Sequence, residues 1–80
     1  MNTTIPDHTL GAIDRYVKYR LPPGGFLTAV LQNRLFDAVA RADKEHLAAL
    51  GSIVQFIYNE VPSDAWGSDA AVRSWLQNNG

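Results

Sequence analysis

The stretch Leu21-Pro22-Pro23-Gly24-Gly25-Phe26-Leu27 constrains this chain more than any other part of it. Its two prolines fix φ and remove two amide donors, so no helix runs through them, and its two glycines permit a tight reversal. A strongly apolar run follows at once, carrying Phe26, Leu27, Val30, Leu31, Leu35 and Phe36. The stretch therefore separates one helix upstream from a second, central helix that it opens.

Upstream, Thr4-Ile5-Pro6-Asp7 has the spacing of a helix start, with Thr4 as cap, Pro6 where no amide bond is lost, and Asp7 at the positive end of the dipole. Leu10, Ile13, Val17 and Leu21 then recur on one helical face. Downstream, the apolar residues of the central helix cover more than one face, with Arg34, Asp37 and Arg41 as its wetter stripe. Asp43 is a natural cap for a third helix, in which Leu47, Leu50, Ile53, Val54, Ile57 and Val61 follow at helical spacing until Pro62 ends it. Gly51 falls in the middle of that helix, where glycine is unfavourable unless a backbone approaches closely, from the central helix or from a symmetry mate. After a turn-rich linker carrying Trp66, Ser68 caps a short fourth helix with Val72, Trp75 and Leu76 on its apolar face. The expected fold is all-α: one compact domain over 1–80, a bundle of four helices at about 5–20, 25–42, 44–60 and 69–78.

A chain of 80 residues has a thin stability margin, and without cysteine it has neither a disulfide nor a zinc staple, so association into a homo-oligomer is an expected source of further burial. Residues 15–44 hold six cations against two carboxylates, a balance of +4, whereas residues from 45 onward balance to −3. This gives the molecule a basic and an acidic side, or simply a solvated surface. Met1 to Thr9 lacks the apolar core of a signal peptide, and no apolar run approaches the roughly 20 residues that cross a bilayer. A cytoplasmic protein without membrane contact is expected.

The Gly24-Gly25 turn is the foremost candidate site. The first amides of a helix lack intrahelical partners and favour anions, and glycines let a phosphate or carboxylate come close. Arg15, Lys18 and Arg20 lie just upstream to meet phosphates, with Tyr16 and Tyr19 interleaved to stack on a base. The pattern is neither a Walker A loop nor a dinucleotide fingerprint. A plain connection between helices explains the same residues. For a protein interface, the candidates are Phe26, Val30 and Trp66, although Trp66 also reads as a core anchor.

Nothing in the chain spells catalysis. The serines have no histidine at useful spacing, and Asp64 and Asp69 read as turn and helix-start residues. His8 and His46 lie far apart, with no ligand set around them, so no metal and no cofactor is expected. The third helix is too apolar to enter a DNA groove, and the net charge of −1 argues against specific DNA recognition.

Ile5-Pro6, Arg15-Tyr16-Val17, Pro22 through Asn33, Arg41-Ala42-Asp43, Tyr58-Asn59-Glu60-Val61-Pro62 and Trp66-Gly67-Ser68 together resemble a family of short proteins common in bacteriophages and prophages. In that family, an aspartate usually stands at the position of Arg34 and an asparagine at that of His46. The resemblance implies origin more than mechanism; small proteins carried by many unrelated phages are often accessory factors that blunt a host defence or redirect a host protein. The expected function is thus non-enzymatic binding in the host cytoplasm: sequestering an anionic, nucleotide-like signal or blocking a host protein. The alternatives are an oligomeric interaction module with no small ligand and, behind it, a nucleic-acid-binding protein.

Overall fold

The prolines and glycines break the chain where the sequence places the break, and the helices on either side fold back onto one buried tyrosine. Residues 5–77 are described in a computed structural model. Thr4, the expected cap of the first helix, lies outside them. Helix α1 spans Asp7–Tyr19. It starts from the carbonyl of Pro6, which accepts from the amides of Thr9 and Leu10, and stops at Arg20, whose backbone is left-handed (φ 58°, ψ 38°).

Helix α2, Gly25–Leu31, opens after Gly24 at φ 93°, a conformation that glycine adopts without strain. The expected central helix over 25–42 does not form as one piece. Asn33 turns left-handed (φ 64°), the amide of Arg34 reaches back to the carbonyl of Ala29, and a separate helix α3, Leu35–Arg41, packs against α2. Asparagine tolerates this conformation because its short amide can bond locally. The third expected helix is also divided, into α4 (Lys44–Ala48) and α5 (Leu50–Glu60), at a fully buried Ala49. Alanine is the best helix former, so burial rather than propensity sets this interruption.

Pro62 ends α5 as expected, a single 3-10 turn covers Ser63–Ala65, and α6 spans Asp69–Gln77 with Ser68 accepting from the amide of Ala71. The described chain is therefore all-helical, with six α-helices rather than four and no strand among the described residues. No helix among them is long and apolar enough to cross a membrane.

Ile13, Leu31, Ile53 and Val72 are buried around Tyr16, which has no exposed surface. Tyr16 donates its hydroxyl to the carbonyl of Ala65 (2.7 Å), and its own carbonyl accepts from the indole of Trp75 (2.9 Å). The amide of Gly67 donates to Leu31 O at 2.7 Å, and Gln32 donates to Asp69 at 2.9 Å, so α6 is fastened to the ends of both α1 and α2. The Cα radius of gyration, 11.7 Å, is that of a compact chain of this length.

Candidate functional site

The residues expected to bind an anion do not converge. Tyr16 is enclosed, and burial pushes its hydroxyl up to about 12 against the opposing charge of Arg20, so it offers no face to a base. Arg20 lies over the ring of Trp75, 3.5 Å from its centroid, and donates to the Trp75 carbonyl at 3.2 Å. Arg15 folds back along its own helix toward Gly11, and Lys18 pairs with Asp14 at 3.2 Å. Tyr19 is exposed. The reason is the direction of α1: the Gly24-Gly25 turn sits beside its first half, at His8, Thr9 and Ala12, whereas the expected cations occupy its second half.

Other residues gather at that turn. Gly25 lies under the guanidinium of Arg41, since a Cβ there would stand 3.1 Å from Nη1. Thr9 Oγ1 lies 2.8 Å from His46 Nε2, and His46 Nδ1 lies 3.2 Å from Asp43 Oδ1. With the Nδ1 proton facing Asp43, Nε2 accepts from the threonine hydroxyl. This is the order of a nucleophile, a base and the group that orients it. Thr9 is only 1 % exposed, however, and Phe26 stacks flat on the His46 ring with centroids 4.5 Å apart. A nucleophile must be reached, and this hydroxyl is sealed. Its evident work is to tie α1 to the start of α4, where Asp43 accepts from the His46 amide at 2.8 Å.

Sequence spacing missed this array because it measures distance along the chain. Its only signal is that both histidines stand near helix starts, and their rings meet edge to face at 5.7 Å. Among the described residues, no group of three potential ligands is placed to hold a metal ion.

An apolar groove lies elsewhere, between α3 and α5. Val30 from α2 and Leu35 and Ala38 from α3 form one wall of a groove; Leu50, Val54, Ile57 and Tyr58 from α5 form the other. Trp66 closes it, with its ring 5.9 Å from that of Tyr58 and its indole N–H bonded to the carbonyl of Val61. With its only donor satisfied, Trp66 presents hydrocarbon to the groove. The groove holds about 210 Å³. Beside it, Phe36 is 88 % exposed, and Leu35, Val39 and Val54 are each at least 40 % exposed. The rim carries one ion pair, Arg34 with Asp37 at 3.7 Å.

Of the three expected interface residues, Val30 and Trp66 line this groove, whereas Phe26 is turned inward against His46. Leu35, Phe36 and Val54 read as core in the sequence because they sit at helical spacing. The breaks at Asn33 and Ala49 put them outside. No protein-family model, no curated protein and no solved structure matches this chain.

Proposed function

We propose that the protein acts by binding another polypeptide chain in the groove between α3 and α5, without a reaction of its own. The observation that carries this reading is the exposure of Phe36 on α3, beside an apolar groove whose Leu35, Val54 and Tyr58 stay exposed among the described residues. Monomeric proteins seldom leave such a patch open unless something docks on it. Of the two binding modes expected of an accessory factor, blocking a protein gains support. Capturing a nucleotide loses it, because Arg15, Lys18 and Arg20 are dispersed along α1 or engaged with neighbours.

The test is a photo-crosslinking residue placed at Tyr58 in the groove and, as a control, at Lys18 on α1, in protein expressed in bacterial cells. Adducts to a polypeptide should form from position 58 and not from position 18. Adding Phe36→Asp should cut the yield about tenfold or more without unfolding the chain, since an exposed side chain contributes little to stability. Equal yields from both positions would remove the groove as the binding site.

A further inference from the structure

Three properties of the groove bear on what fills it. The first is shape. Cavities of about 150 Å³ already accept benzene, so a groove of about 210 Å³ takes a phenyl ring. The chain presents such a ring, Phe36, on the outer side of the helix that forms one groove wall. In an isologous pair the same patch serves both copies, so a ring on one copy can meet the groove of the other.

The second is area and charge. The exposed fractions of Leu35, Phe36, Val39, Val54 and Tyr58 amount to on the order of 600 Å² per copy, against about 800 Å² per partner in a standard interface. The rim is electrically balanced: Arg34, at the N-cap of α3, pairs with Asp37 in its first turn, so the patch carries both signs. A partner of one dominant charge would find no matching field here.

The third is Gly51. It weakens α5, yet a Cβ added there would meet nothing within 4 Å, so no described part of this chain requires it. It precedes Val54 by three residues and Tyr58 by seven, which puts it on the exposed side of α5. The close approach that the sequence allows at Gly51 is not made by α2, α3 or any other described part of the same chain. The space is open to another molecule.

We infer that a second copy of this chain closes the groove, each Phe36 entering the other copy's groove and the two α5 helices approaching across Gly51. This inference rests on the groove being a protein-binding site and names its occupant.

Sedimentation equilibrium of the purified full chain, with circular dichroism as the folding control, tests it on three proteins. The wild type should reach twice its 8.8 kDa mass as concentration rises. Phe36→Asp should stay at the single mass with unchanged helicity. Gly51→Ala should raise the dimer dissociation constant by about tenfold or more, although alanine strengthens an isolated helix. A wild type that remains monomeric at about 1 mM, or a Phe36→Asp chain that still pairs, overturns the dimer. Gly51→Ala chains that pair like wild type overturn the α5 contact. The crosslinker at Tyr58 separates the two levels: adducts only to a different protein, from a chain monomeric when pure, overturn self-association and leave the binding site standing. No adduct at all from a monomeric chain overturns both.

Discussion

Tyr16 shows how one side chain can be both the centre of the core and a liability at high pH. Its hydroxyl is held neutral by burial, with its pKa raised from 10.0 to about 12. A raised pKa means that the folded state keeps the proton longer than the unfolded state. The associated stability is therefore whole below pH 10 and is lost as pH climbs toward 12. Tyr16→Phe should remove this alkaline sensitivity in urea melts. At neutral pH it should cost about 1–3 kcal/mol, because the Ala65 carbonyl loses its donor. Asp43 has the opposite sign. The His46 amide donating to its carboxylate holds its pKa below 3.8, against a smaller desolvation effect and with help from the charges of His46 and His8. Its contribution is present above that value and fades as pH falls through the depressed pKa. Asp43→Ala should lower the melting temperature by about 5 °C at pH 7, and Asp43→Asn by less, since an amide oxygen also caps. Asp43 could be read from sequence as a cap, and is one. Tyr16 could not be told from Tyr19, because a three-residue offset on α1 decides burial only once α6 is in place.

At the scale of elements, the sequence marked the boundaries made by covalent chemistry. Pro22-Pro23, Gly24, Asp43, Pro62 and Ser68 each sit at an end that the structure confirms. The missed boundaries have weaker signals. Gln32-Asn33-Arg34 is a polar interruption between Leu31 and Leu35, but those leucines keep helical spacing across it and hide the turn. Asn33→Gly should be tolerated or slightly stabilising, whereas Asn33→Ala should cost about 1–2 kcal/mol by denaturant midpoint, because alanine pays for the left-handed conformation without an amide to bond locally. A neutral Asn33→Ala would mean that α2 and α3 fuse into the single helix that periodicity implies. Ala49 carries no local signal at all; its fully buried methyl is a consequence of packing.

For the whole molecule, the fold class was legible and the groove only at Val30 and Trp66, for one reason. Apolar periodicity says which side chains avoid water, and does not say whether the same chain covers them. Leu35, Phe36 and Val54 satisfy the pattern and remain outside. If a second copy covers them, the melting temperature should rise with protein concentration, and Phe36→Asp should abolish that rise while leaving the dilute-limit value unchanged. The fastenings of α6 have a different consequence, one that concerns synthesis. The contacts of Tyr16 with Ala65 and Trp75 join residues 49 and 59 positions apart, and Arg20 reaches Trp75 across 55. A growing polypeptide therefore cannot complete its interior until Trp75 has left the ribosome, although α1 is made first. Translation that stalls near Val61 would leave the Tyr16 ring without its cover, a nascent chain fit for chaperones or proteases.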